Sequence, residues 1–406
     1  MQAVIATDTI HTKHERLHYL DWFRVLVVVG VFYAHTIYIF DLLYWHIGNE
    51  QRTSSLDLFV VFGSRWGMSL LFLLSGASNW FALRSQTGRQ FLRERFARLL
   101  VPFLLGFVLL APPLAYIEAL AYSQEPGPFF QFYLSFFERM QISWNPQWLA
   151  AYGHHLWFLV FLFFISVISL PLLMYLRRER GQCFVQRLAA LSARPGGLFV
   201  FFLPIVLIQV TLYVPFPGYQ GWGDFFSWLL FFVYGYILFS EPRFAQAIRK
   251  QWKLALFVGL ICYLASTVWE MAGFLDTWKT SPSYSAAYIL YQTLQSLATW
   301  SLLIFILYFG MRFLNISNKV IRYGNEAILP FYVLHYPVIF ISVFYVGQLD
   351  IGMVAKFLIV STCSFLVTLA LYELFIRRIN VMRRLFGMKP RTGVAHKDII
   401  IQEHSG

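Results

Sequence analysis

The chain has 406 residues, of which 58% are apolar or aromatic and 13% charged, against roughly 25% charged in an average soluble protein. With 19% aromatics and a mean hydropathy of +0.59, this composition excludes a soluble enzyme, a disordered chain and a disulfide-stapled secreted domain. The net charge of +12 does not point to nucleic acid, because the basic residues sit in short clusters between apolar runs, where they mark topology.

The first sixteen residues are polar, and no small-residue cleavage site follows the first apolar run, so a cleaved signal peptide is not expected. A helix needs about 20 apolar residues to cross a bilayer. Runs of that kind fall at 19–41, 56–83, 97–121, 154–176, 197–214, 224–240, 254–272, 285–311, 326–347 and 354–376. The fifth and sixth are short and joined only by the tight turn 215-PFPGYQGWGD-224. The expected fold is all-α, a polytopic membrane protein with about ten transmembrane helices over 19–377, a polar tail at 1–18 and a basic tail at 378–406. Placing the N-terminus in the cytoplasm puts 26 of the 32 basic residues inside and only Arg52, Arg139, Lys279 and Lys356 outside. Both termini are therefore expected in the cytoplasm. No internal repeat is visible. Cys183, Cys262 and Cys363 are far apart in sequence, and neither a metal site nor a disulfide framework is expected.

An ionisable side chain within a span costs about 2.5–3.5 kcal/mol on insertion scales, so each needs a partner, a cavity or a task. Asp21, Arg24 and His35 share the first run. Asp21 and Arg24 are close enough on a helix to pair. Arg24 and His35 are almost three turns apart, on one face and about 16 Å from each other along the axis. The second run carries Arg65 near mid-depth, where a guanidinium needs an anion or water; Glu118 and Glu270 are its candidate partners. It also carries 74-LSGASNW-80, small residues that permit close helix approach or a bend around a ligand.

Next, 91-FLRERFARLLVP-102 sets Arg95 and Arg98 one helical turn apart. The planar guanidinium fork suits phosphate, although such a loop also serves plain topology. The outer segment 122–153, with Trp144, Pro146 and Trp148, reads as interfacial or substrate-facing. His154 and His155 open the fourth run, and Glu373 lies in the last. His335, in 331-FYVLHYPVI-339, is a second mid-span histidine with Pro337 just beyond it. One intramembrane histidine is often only an interhelical donor. Two in a bundle, with arginines on the cytoplasmic side, look like a reactive site reaching across the bilayer.

Together these residues resemble acyltransferase family 3, a family of integral-membrane acyltransferases. The resemblance covers nearly the whole chain and rests on 20-LDWFR-24 followed by His35, then 74-LSG-76, 95-RFARLLVP-102, 155-HLWFL-159, 332-YVLHYP-337 and 372-YE-373 in that order. With the ending 379-INVMRRLFGMKP-390, it looks most like the branch that succinylates osmoregulated periplasmic glucans. The resemblance implies O-acylation of an extracytoplasmic carbohydrate by a cytoplasmic acyl-CoA, in a bacterial inner membrane. It implies a catalytic His35, with Arg24, Arg95 and Arg98 as ligands of the donor phosphates. Many members follow the fourth-span tryptophan with two glutamates; here Trp157 precedes Phe158, Leu159 and Val160. That base or orienting group is then absent or comes from elsewhere, where His155, Glu270 or His335 could fill its place, and His335 and Glu270 join His35 as candidate catalytic residues. No C-terminal hydrolase-like domain of the kind some members carry is expected, so acceptor capture falls to the spans and outer loops. Arg65, His155, Trp157 and Trp148 are the candidate substrate-binding residues.

The chemistry of the residues agrees. An acyl-CoA is a polyanion with a thioester at the end of a flexible arm, and that arm can thread along the face carrying Arg24 and His35. Imidazole titrates near neutrality. His35 can deprotonate the acceptor hydroxyl or carry the acyl group itself. A succinyl donor needs a cation for its distal carboxylate, for which Arg65 is the candidate; otherwise acetyl is the default. Membrane lipid, acyl-CoA and a carbohydrate acceptor are the expected partners, with self-association open and nucleic acid excluded. A proton-coupled transporter or flippase using the intramembrane His and Glu residues is the alternative, since such residues are common to both classes.

Overall fold

The computed structural model describes residues 17–40, 57–122, 124–280 and 282–391. Most of the N-terminal tail, the end of the C-terminal tail and the outer segment carrying Arg52 lie outside the described residues. The chain is all-α, with no strand among the described residues. Helices α1 (His18–Ile37) and α2 (Asp57–Leu83) come first. Helix α3 (Gly88–Arg95) starts at a capping box, in which the Thr87 hydroxyl accepts from the Gln90 N–H and the Gln90 side chain accepts from the Thr87 N–H. A π turn over Phe96–Leu100 leads into α4 (Val101–Leu109), and a 40° bend into α5 (Ala111–Ala121). Pro112 sits in the first turn of α5, where its missing N–H costs nothing.

Helices α6 (Phe129–Glu138) and α7 (Gln147–Gly153) lead to α8 (Trp157–Leu176). Then come α9 (Glu179–Ser192), α10 (Phe202–Leu212), α11 (Trp222–Ser240) and α12 (Pro242–Met271). The short α13 (Phe274–Thr280) precedes α14 (Ala286–Phe313), α15 (Lys319–Val346), α16 (Met353–Leu371) and α17 (Asn380–Leu385).

Among the described residues, eight helices are long and apolar enough to span a membrane, or nine when the bent pair Gly88–Leu109 and Ala111–Ala121 counts as one. The protein is thus a multi-pass membrane protein. The fifth expected run, 197–214, is helical but short. Gly196 takes a left-handed φ of 75°, the next turn winds as a 3-10 helix over Gly197–Phe201, and only α10 continues it. At 1.5 Å per residue α10 covers about 17 Å, roughly half of the hydrocarbon core. Helix α12 instead starts well before its apolar run, because the Glu241 carboxylate caps Arg243 N–H and lets the basic first turns stay helical.

Two glycines set the closest helix crossing. A Cβ on Gly76 of α2 would overlap the Phe232 carbonyl of α11, and one on Gly235 of α11 would overlap the Leu73 carbonyl of α2. The 74-LSG-76 stretch therefore serves close approach. At the other side of the bundle the C-terminal segment docks against the mouth of α3 and α4. Buried Arg383 donates to Glu326 Oε1 (2.9 Å) and to the Lys389 carbonyl (2.8 Å). Gly387, at φ 70°, lies so close to the Arg98 backbone that a Cβ would be 2.7 Å from its carbonyl oxygen.

Candidate functional site

Three elements bring histidines together. His35 comes from the end of α1, His335 from the middle of α15, and His155 from the break between α7 and α8. At that break His154 adopts a φ of 46°, rare for a residue with a side chain, and a 3-10 turn over His154–Leu156 follows. The ring centres of His35 and His335 are 5.4 Å apart, and those of His155 and His335 5.2 Å. Tyr336 lies 4.8 Å from His35 and 4.9 Å from His155.

Backbone carbonyls fix two of the three imidazoles. Pro337 has no N–H, so the Val333 carbonyl lacks its helical donor. His155 supplies one, donating from Nε2 at 3.0 Å. His335 donates from Nδ1 to the Tyr332 carbonyl at 2.7 Å, and the Tyr332 hydroxyl donates to the carbonyl of His155. A carbonyl only accepts, so these bonds place protons on Nε2 of His155 and Nδ1 of His335. The other ring nitrogens, Nδ1 of His155 and Nε2 of His335, are buried and have no hydrogen-bond partner among the described residues. In the neutral rings both are lone pairs, hence bases. Among the described residues no three His, Cys, Asp or Glu side chains are placed to share a metal ion.

A cavity of about 960 Å³ runs along α1 from Phe23 past Gly30 to His35 and Tyr38. A second, of about 210 Å³, lies under α7 and is lined by Gln147, His154, Gln220 and Tyr336. His35, His155, Trp157 and Tyr219 line both. His335 lines neither and is fully buried behind His35. That position suits orienting His35 rather than touching a substrate. Trp157 stacks on Trp228 at 4.9 Å, which stacks in turn on Phe72 at 5.3 Å. Trp148, on α7, lines neither cavity.

The basic residues gather on α2. Arg24 pairs with Asp21 at 2.9 Å and donates to the Ser78 hydroxyl. Arg95 donates to Asn79 Oδ1 at 2.6 Å and packs over the Phe91 ring. Adjacent side chains of 74-LSGASNW-80 thus hold one arginine each, a role that reading these residues as small spacers missed. Arg95 is half-buried, and among the described residues its buried Nε has no hydrogen-bond partner and its guanidinium makes no ion pair. Arg98 is half exposed and pairs with Glu94 at 3.3 Å. None of the three arginines lines either cavity.

Arg65 pairs with Glu270 of α12, and not with Glu118, which lies within electrostatic reach of Tyr336. Glu270 also accepts from the Tyr291 hydroxyl and from Gln295 Nε2 (3.1 Å), both on α14. It is engaged by this cluster, with no hydrogen bond to His35, His155 or His335 among the described residues. Glu373 pairs with Arg377 at 2.8 Å, on the side of the docked C-terminal segment.

A family model described as an acyltransferase domain matches residues 17–373. Glucans biosynthesis protein C from Salmonella heidelberg (strain SL476) is 22% identical over 391 residues, covering 92% of this chain and 95% of that protein. The same-named proteins of Salmonella typhi and Salmonella typhimurium give the same identity and coverage. No solved structure matches.

Proposed function

This chain belongs to acyltransferase family 3 and is an acyltransferase, and from that premise we propose that it moves an acetyl or succinyl group from cytoplasmic acyl-CoA to a hydroxyl of an extracytoplasmic glycan. The transport alternative lapses with family membership. The glycan acceptor is supported by relatives named for glucan biosynthesis, aligned over almost their full length. The observation that carries the reading is the position of His35, at the junction of a long cavity following α1 and a small one beneath α7.

Each half of the substrate has an approach to that junction. Arg95, a half-buried guanidinium that makes no ion pair among the described residues, and Arg24 beside it suit the donor phosphates. From Phe23 to His35 the cavity wall is twelve residues of helix, about 18 Å, and suits a flexible thioester arm. His35 takes the proton of the acceptor hydroxyl as its oxygen attacks the thioester carbonyl. The C–S bond then breaks, and the proton passes to the departing CoA thiolate, leaving an O-acyl ester. His335, with its free Nε2 lone pair next to His35, positions that ring and stabilises its protonated form.

The test is glycan from cells with and without the protein, analysed by mass and repeated with purified protein and each acyl-CoA. Acceptor-dependent release of CoA with one acyl group added to the glycan is expected. Release of CoA with no glycan ester would refute the acceptor class.

A further inference from the structure

Beyond the histidines, the large cavity opens into a lobe walled by the ends of α2, α10, α11, α12 and α14. Its walls combine two kinds of surface. One is polar. Asp224, in the first turn of α11, accepts from Gln209 Nε2 at 3.2 Å and from the Gln220 N–H at 2.8 Å. Gln209 also donates to Ser227 at 3.0 Å, and Gln295 binds Tyr291 at 2.6 Å within the Glu270 cluster. Tyr213 lies within electrostatic reach of Asp224, Arg65 and Glu270, which places the two groups of side chains on one chamber. The other surface is aromatic: Trp157 and Trp228, stacked, with Tyr219 edge-on to both at 6.0 and 5.9 Å.

Planar carboxylate and amide groups opposite flat aromatic rings match the chemistry of a sugar, whose hydroxyls donate and accept at its rim while its C–H faces pack on rings. The charges narrow the class. Among the described residues, Arg65 is the one Lys or Arg lining the lobe, and it is already paired with Glu270. Asp224 makes no ion pair among the described residues, so in its ionised form it gives the described lining a net negative charge. It favours a neutral sugar and repels a uronic acid. The chamber meets Trp157, His155 and His35 at its other end, so a sugar held there presents a hydroxyl to the reacting histidine.

We propose that this lobe is a subsite for a neutral sugar unit of the acceptor, with Asp224 and Gln209 as hydroxyl ligands and Trp157 and Tyr219 as the stacking wall. The inference rests on a glycan being the acceptor. Its test separates the two claims by measuring binding without donor. Purified full-length protein in nanodiscs is titrated with a neutral β-glucan oligosaccharide and with an oligomer of uronic acids, following tryptophan fluorescence and heat. The neutral oligomer should bind and the acidic one should bind at least tenfold more weakly. Asp224→Asn, which keeps the shape, should weaken glucan binding at least tenfold, raise the acceptor KM and leave CoA affinity within twofold. Gln209→Ala serves as a second variant, with smaller losses in the same direction, should Asp224→Asn lower the yield of folded protein. Failure of the wild type to bind the neutral oligomer, or equal binding by wild type and both variants, overturns the subsite. Asp224-dependent binding without any acyl transfer would refute the reaction and leave the subsite standing.

Discussion

The Nε2–H of His155 donates to the carbonyl of Val333 at 3.0 Å, across a separation of 178 residues. The bond exists because Pro337 leaves that carbonyl without its helical donor. Restoring the N–H in Pro337→Ala gives the carbonyl a closer, intrahelical partner and releases His155. Proline within a helix costs about 3 kcal/mol, so the variant should melt at or above the wild-type temperature. Its kcat should nevertheless fall at least tenfold. A paired measurement of melting and turnover decides this, and unchanged turnover would show that His155 keeps its place without the bond.

Much of this was legible in the sequence, for identifiable reasons. The long apolar runs became spans because hydrocarbon leaves the backbone no other donors and acceptors. His35 stood out as an ionisable group too deep to be idle. The segment 197–214 fell short because apolar composition does not say how tightly a helix winds or where it stops: after Gly196 the first turn is 3-10, and the helix ends at Leu212. The partner of Arg65 could not be chosen between Glu118 and Glu270, since spacing fixes contacts only within one helix. Ser78 and Asn79 were hidden in a run of small residues whose packing role, at Gly76, is also real. Asp224 escaped notice because an acid in a first helical turn is ordinary.

His35→Ala should abolish transfer while leaving insertion and yield intact, since losing a general base typically costs about 10²–10⁴ in rate. His335 stands behind His35 and lines neither cavity. His335→Ala should therefore lower kcat by a smaller factor, leave both KM values within threefold, and displace the pH profile of kcat. Equal loss in both variants with an unmoved profile would argue that His335 reacts directly.

The two arginines of the mouth should differ. Arg95 is half-buried, and its Nη2 bond to Asn79 is to a neutral side chain. Arg98 is half exposed and already paired with Glu94. Loss of a charge-assisted contact to a donor phosphate is worth about 1.5–3 kcal/mol, whereas an exposed pair is worth about 0–1 kcal/mol. Arg95→Ala should weaken CoA binding roughly tenfold or more, and Arg98→Ala only a few-fold. Calorimetric titration of CoA into each purified variant reads this directly, and equal, negligible effects would reduce both residues to topology.

Arg65 carries the last question, the identity of the acyl group. Its guanidinium pairs with Glu270, which also accepts from Tyr291 and Gln295, and its side chain is about one-fifth exposed, at 19%. Removing one partner of a buried pair commonly costs about 3–5 kcal/mol, because the other charge is left behind. Here Tyr291 and Gln295 still donate to Glu270, so the loss in Arg65→Gln should lie at or below the low end of that range. Thermal stability should fall, and acetyl and succinyl transfer should fall together. The double variant Arg65→Gln with Glu270→Gln should recover most of the melting temperature, since it removes both charges. A reader of a distal carboxylate would behave otherwise: Arg65→Gln would cripple succinyl transfer and spare acetyl transfer, and neutralising Glu270 alone would improve the succinyl KM by freeing the cation. Assaying both donors in these three variants separates a structural ion pair from a selectivity element, and the pairing seen in the structure favours equal loss.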